Sequence, residues 1–196
     1  MVNTDKSLID AHLQGDTTAF GELVRRHGDS LLGYLTRMTG SIEQAEDLFQ
    51  ETFKRVHEKA DTFRGSRIKS WLFAIATNVA IDGFRRNRRL QVTSLNQKLD
   101  CADEEGRELG VVAVADNSYG PSQKAIMTER KEQVRQALEL LPTKQRATLV
   151  LAYFQQLSYP DVAQVLGCSV GTVKTQMYRA LKTLAQRLPD ISEDMK

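Results

Sequence analysis

Residues 157–184 read LSYPDVAQVLGCSVGTVKTQMYRALKTL, two short helices set one directly after the other. Ser158 followed three residues later by Asp161, with Pro160 in the first turn, marks a helix start. Val162, Ala163, Val165 and Leu166 supply its apolar side before Gly167 ends it. Ser169 can cap a second helix at once, and Val173, Met177, Ala180, Leu181 and Leu184 form its inward side. So tight a turn predicts a helix-turn-helix: Ala163 is small enough to let the helices approach, Gly167 takes the turn, and Val173 locks the second helix on the first. The second helix of such a pair enters the DNA major groove with its N-terminal exposed side chains at the base edges. Here those are Thr172, Thr175, Gln176 and Arg179.

A helical hairpin in an ordinary bundle would share the small residue and the glycine turn, so charge has to decide. The chain of 196 residues has 27 Lys and Arg against 25 Asp and Glu, a net charge of +2 that by itself suggests no nucleic-acid partner. Its distribution is uneven. Residues 129–187 carry 9 basic and 4 acidic groups, 1–90 carry 14 and 12, 91–128 carry 3 and 6, and 188–196 carry 1 and 3. Lys174, Arg179, Lys182 and Arg187 lie along one helix with no acidic residue between them, which suits phosphate contacts better than a mixed solvated face.

Outward from this motif the chain stays helical. Asp16 or Thr17 can cap a helix carrying Phe20, Leu23, Val24, Leu31, Tyr34, Leu35 and Met38 and ending at Gly40. Ser41 and Gln44 open the next as a capping box, with Ala45, Leu48, Phe49, Thr52, Phe53 and Val56 as its stripe. After a polar loop from Asp61 to Lys69, Ser70 can cap a third helix with Trp71, Leu72, Ile75, Ala76 and Val79 inward. Residues 91–128 lose the period and gain acidic groups and glycines, the composition of a flexible linker. Helical spacing returns with Ile126, Val134, Ala137, Leu138 and Leu141, breaks at Pro142, and runs on through Leu149, Val150 and Tyr153 to Gln156. The expected fold is therefore all-α: one small helical domain over 1–90, an acidic linker over 91–128, and a helix-turn-helix domain over 129–190.

At 41% hydrophobic and 27% charged residues, collagen-like, membrane-spanning and wholly disordered classes are excluded. Cys101 and Cys168 are far apart, with no Cys/His cluster around them, so neither a disulfide framework nor a zinc site is indicated. No segment reads as a signal peptide or a bilayer span, and a cytoplasmic location is expected.

In the first domain, Glu43, Asp47, Gln50 and Glu51 share a helical face opposite Leu48, Phe49 and Phe53. Acidic residues near a helix start favour its dipole whatever they bind, and the cluster Arg85, Arg86, Arg88, Arg89 suits a helix end equally well. The neighbourhood is more informative. Phe63, Arg64, Arg67 and Lys69 precede Trp71, and Asn78 and Asp82 follow one turn apart, a mixture of rings, amide and cations that suits unstacked single-stranded bases. Taken singly, Phe63 and Trp71 read more simply as core residues.

Together, AEDLFQETF (45–53), TFRG (62–65), SWLFAIATNVAID (70–82) with the arginines after it, LPTKQR (141–146) and the 157–184 segment resemble the extracytoplasmic-function sigma factors of bacterial RNA polymerase. The resemblance covers nearly the whole chain outside the linker. It implies that the protein gives core polymerase its promoter specificity and helps open the DNA. By the same resemblance, Asp47, Gln50 and Glu51 meet the clamp helices of the largest subunit, with the flap as a further contact. Phe63 and Asn78 line a pocket for a flipped base of the minus-10 element, Arg64, Asp82, Arg85 and Arg86 lie beside it, and Thr172, Lys174, Thr175, Gln176, Arg179 and Lys182 read the minus-35 element. The loop from Phe63 to Trp71 is one residue shorter than the common pattern and has Ile68 where an aromatic is usual. Gln176 and Leu181 stand where the family often has basic residues, so a minus-35 preference does not transfer.

A freestanding helix-turn-helix regulator would account for the second domain but leave 45–89 without a role. An enzyme fits worst: there is no Gly-x-x-x-x-Gly-Lys loop, no metal-ligand spacing, and His12, His27 and His57 are scattered, so no catalytic residue, metal or cofactor is expected. With no ligand motif or receiver-like segment present, control from outside by an anti-sigma factor covering the polymerase-binding surfaces is the expected regulation.

Overall fold

Thr4 accepts a hydrogen bond from the Ser7 amide and starts α1 (Asp5–Leu13), whose Leu8 and Ile9 are buried. The computed structural model describes the backbone of residues 4–65, 67–95, 130 and 132–187, with side chains for the same residues except 87–95. Apolar spacing in the sequence marks no helix before Asp16, because α1 is polar enough that only its packing on the next helix reveals it. Asp16, the cap of α2 (Thr17–Thr39), accepts from the amides of Thr18 and Ala19. Gly40 ends α2 at φ +72°, a left-handed conformation that favours glycine. Ser41 then caps α3 (Ile42–Glu58) through the Gln44 amide at 3.3 Å. A short 3₁₀ turn at Ala60–Thr62 leads toward α4 (Ile68–Leu95). Ser70 does not cap α4 as expected: the Trp71 amide already bonds to the Arg67 carbonyl at 3.3 Å, so the helix begins earlier and Ser70 lies inside its first turn.

Leu23, Leu31, Tyr34, Leu35 and Met38 of α2 pack with Ala45, Phe53 and Val56 of α3 and with Leu72, Phe73, Ala76, Val79 and Ala80 of α4. Each large apolar side chain buried this way contributes about 1.5–3 kcal/mol. The stripes expected for these helices are thus the core. Helix α4 continues past residue 91 to Leu95, and residues 96–129, with the rest of the expected linker and Cys101, lie outside the described residues.

The second domain opens with α5 (132–139). Pro142 precedes α6 (Thr143–Leu149), which runs into a π-helical turn over Val150–Phe154, closed by the Gln155 amide on the Val150 carbonyl at 3.1 Å. Ser158 caps α7 (Tyr159–Leu166), Gly167 turns at φ +60°, and Ser169 accepts from the Thr172 amide at the start of α8 (Val170–Arg187). The helix-turn-helix is therefore present as read. Leu181 corrects one detail, being 54% exposed, because the inward stripe of α8 runs through Val173, Met177 and Ala180 and leaves it on a flank.

The chain is all-α among the described residues, with two helical domains that do not stand apart. Val150, Leu151, Val162, Ala163 and Val165 of the second domain belong to the same apolar cluster as Leu35 and Phe73 of the first. Around this joint, Gln155 is held to Ser30, Lys69 Nζ donates to the Gln155 carbonyl at 2.7 Å, and Arg67 Nη1 lies 2.6 Å from Asp161 Oδ1. The Arg37 guanidinium sits 4.4 Å over the Phe154 ring, and Arg146 donates to the Met38 carbonyl at the end of α2.

Candidate nucleic-acid interface

Helix α4 positions the first set of residues. At 3.6 residues per turn, Trp71, Asn78, Asp82 and Arg85 fall on one side of it. Phe63 closes the upper end of this row, its ring 5.3 Å from that of Trp71 at 53°. Both rings are half-buried against the core, so they are packed and still partly presented. Asn78, Asp82, Arg85 and Arg86 are exposed, and Arg64 is exposed beside Phe63. The order along the surface is therefore ring, amide, then cation. Such an order can stack an unpaired base, hydrogen-bond its edge and track its phosphates.

Asp82 interrupts the cationic end but is neutralised in place. Arg55 of α3 lies 3.7 Å from it, and Arg85 lies 3.8 Å away. Arg55 also bonds Glu51 at 2.9 Å. It thus ties the acidic face of α3 to the row on α4, a role the sequence reading missed; its signal was the i, i+4 spacing from Glu51. On α3 itself Asp47 and Gln50 are exposed and Glu51 is half-buried, on the side away from the buried Ala45 and Val56. These three form one surface.

In the second domain, Thr172, Thr175, Gln176 and Arg179 fall on one outer side of α8, with Lys182 at its edge. All are exposed except Gln176, which is half-buried. Lys174 does not join them: its spacing sets it on the opposite flank with Tyr178 and Leu181, which are 68% and 54% exposed. The Thr172 and Thr175 hydroxyls are engaged locally, with Ser169 and the Gly171 carbonyl respectively. Gln176 and Arg179 carry the longer amide and guanidinium that can form bidentate contacts with base edges. Helix α8 packs on α6 and α7.

Among the described residues no helix is long and apolar enough to cross a membrane, and no group of three or more His, Cys, Asp or Glu could hold a metal ion. Cys168 is a free, half-buried thiol.

Residues 23–90 match the family model described as Sigma-70 region 2, and 131–184 match Sigma-70, region 4. The ECF RNA polymerase sigma factor SigW of Bacillus subtilis is 32% identical over 91% of this chain and 93% of its own length. Among solved structures, the sigma factor RpoE of Bartonella quintana, in complex with the anti-sigma factor NepR, superposes with a TM-score of 0.66 at 26% identity, covering 87% of this chain and 97% of that one. CnrH, in complex with the cytosolic domain of CnrY, gives 0.65 at 25% identity, covering 94% and 97%.

Proposed function

Because the chain belongs to the extracytoplasmic-function sigma factors and directs RNA polymerase to promoters, we propose that its three exposed surfaces divide that task. The α3 surface of Asp47, Gln50 and Glu51 binds the clamp helices of the largest polymerase subunit. The row Phe63, Trp71, Asn78, with Arg64, Asp82, Arg85 and Arg86, receives the opened minus-10 strand. Gln176 and Arg179, flanked by Thr172, Thr175 and Lys182, read the minus-35 duplex, while Lys174 meets backbone phosphate from the other flank. Region 4 also meets the flap. The work is done in the cytoplasm, where polymerase and promoters are.

The observation that carries this reading is the contrast between the two rows. A ring–amide–cation row suits an unstacked base, whereas a single helix face of amide and guanidinium groups suits an intact groove. A freestanding regulator would need only the second. The test is site-specific photocrosslinking in a complete promoter complex with core polymerase. A crosslinker at Phe63 is expected to mark non-template minus-10 bases, and one at Gln176 the minus-35 duplex; exchange of the two targets, or crosslinks to neither, would overturn the assignment.

An anti-sigma factor that covers the α3 surface is proposed as the regulator. Support comes from RpoE, to which this chain is similar and whose structure is a complex with the anti-sigma factor NepR. Such a partner competes with polymerase, so Asp47→Lys should weaken both associations.

A further inference from the structure

His12 stands in the last turn of α1 and His57 in the last turn of α3, and the fold brings His12 Nε2 to 3.0 Å from His57 Nδ1. Neither residue belongs to any of the surfaces proposed above. The Phe20 ring of α2 packs on both, 4.7 Å from the His12 ring and 5.7 Å from that of His57, so three helices hold the two nitrogens together. His12 is half-buried and His57 exposed, so an ion can reach the pair from solvent. We propose that this pair is a metal site: His12 Nε2 and His57 Nδ1 take adjacent positions on a divalent transition-metal ion of square-planar or tetragonal preference, nickel(II) or copper(II), which staples α1 to α3.

The spacing selects the class of ion. With a metal–imidazole bond of about 2.0–2.1 Å, two nitrogens at right angles on one ion lie about 2.9 Å apart, and two at the tetrahedral angle about 3.3–3.4 Å apart. The observed 3.0 Å falls at the right-angle value. Tetragonal sites with nitrogen and oxygen ligands are those of copper(II) and nickel(II), whereas zinc favours the tetrahedron. Imidazole binds a metal as the neutral ring. Without metal, one of the facing nitrogens donates its hydrogen to the other. With metal, that hydrogen moves to the far nitrogen of its own ring and both facing lone pairs go to the ion, so the exchange needs no oxidant, reductant or leaving group. Among the described residues no group of three or more His, Cys, Asp or Glu could hold a metal ion, so water fills the remaining positions and the site stays open. An ion that joins α1 to α3 only in the folded chain stabilises that chain by mass action.

The test uses the full chain, stripped with a chelator and titrated with nickel(II) chloride in a calorimeter. One ion per chain is expected, bound more tightly than zinc(II), with a melting temperature that rises with nickel concentration. His12→Gln and His57→Gln should each weaken binding by about a hundredfold. His27→Gln should leave it unchanged, because that ring faces Asp5 at 3.2 Å and not the pair. His57 is exposed, so its variant probes the site without disturbing the core. A readout on the wild type needs no variant at all: six-coordinate nickel(II) is paramagnetic, so the ring-proton NMR signals of His12 and His57 should show large contact shifts that those of His27 lack. Absence of saturable nickel binding, binding that survives loss of both rings, contact shifts confined to other residues, or tighter binding of zinc than of nickel would each overturn the proposal.

Discussion

Tyr34 Oη lies 2.7 Å from Thr77 Oγ1 in the core between α2 and α4, and the direction of that bond can be assigned. Thr77 Oγ1 donates its single hydrogen to the Phe73 carbonyl at 2.7 Å, so the tyrosine hydroxyl is the donor between them. Burial holds this hydroxyl in its neutral form, pushing its pKa up. The two obvious truncations should then differ. Tyr34→Phe leaves Thr77 with its own acceptor and costs about 0.5–1.5 kcal/mol, whereas Thr77→Val strands a fully buried O–H and costs about 1–3 kcal/mol. Chemical denaturation of both variants checks the order; equal losses would refute the assigned direction.

A second polar pair fixes the N-terminal helix. His12 Nε2 of α1 lies 3.0 Å from His57 Nδ1 of α3, with the Phe20 ring packed against both. One ring must donate and the other accept, so the contact suits the pair only while at least one ring is neutral. Burial, and then the facing His57, lower the pKa of His12 from its ordinary 6.5. A base with a depressed folded pKa binds its proton more weakly folded than unfolded, so its full contribution is present above 6.5 and declines as pH falls from there through the folded value. The melting temperature of the wild type should therefore drop more steeply below pH 6.5 than that of His12→Gln. Parallel curves across that window would show that the pair does not titrate against stability.

The sequence made the helices of each domain legible because their signals are local. Asp16, Ser41, Ser158 and Ser169 all accept the amide hydrogen bonds expected of them, and Gly40 and Gly167 both turn at positive φ. What it could not show is the joint between the domains. Ser30, Arg37, Arg67, Gln155 and Asp161 are polar residues on helix exteriors or in loops, and a polar residue facing a second domain has the same local sequence as one facing water. The π turn at Val150–Phe154 was hidden for a related reason, since an extra residue in a turn is set by what the flanking side chains pack against. The candidate site divides the same way. The row on α4 follows from helical spacing, whereas the Arg55 bridge from Glu51 to Asp82 depends on how α3 and α4 pack.

The α3 surface offers the most direct test of polymerase binding. Asp47 and Gln50 are exposed and the core stripe of the helix lies on the other side, so both can be changed without touching packing. Truncating an interface anchor typically costs more than 1 kcal/mol, so Asp47→Lys with Gln50→Ala should weaken core polymerase binding by about tenfold or more. Arg55→Ala, which removes only partly exposed ion pairs, should lower affinity much less. Unchanged affinity in the double variant, with the helical circular-dichroism signal intact, would remove this surface from the interface.

Promoter reading should separate into two steps that fail differently. Gln176 and Arg179 lie on the outer face of α8, which is available before any base pair opens. Loss of a bidentate base contact costs about 1–3 kcal/mol, so Gln176→Ala or Arg179→Ala should weaken holoenzyme binding to fully duplex promoter by that amount and relax specificity upstream. Asn78 is exposed on α4 two turns beyond Trp71, where it can meet a base edge only after that base has left the stack. Asn78→Ala should therefore leave duplex binding nearly intact and reduce open-complex formation, with the opening deficit relieved in part on a template melted in advance. Comparing duplex and pre-melted templates for binding, and permanganate reactivity of unpaired thymines for opening, separates the steps. The division is wrong if Asn78→Ala impairs duplex binding as much as Arg179→Ala does while opening proceeds normally once bound, because an amide that acts on the closed duplex has no dependence on the unstacked base.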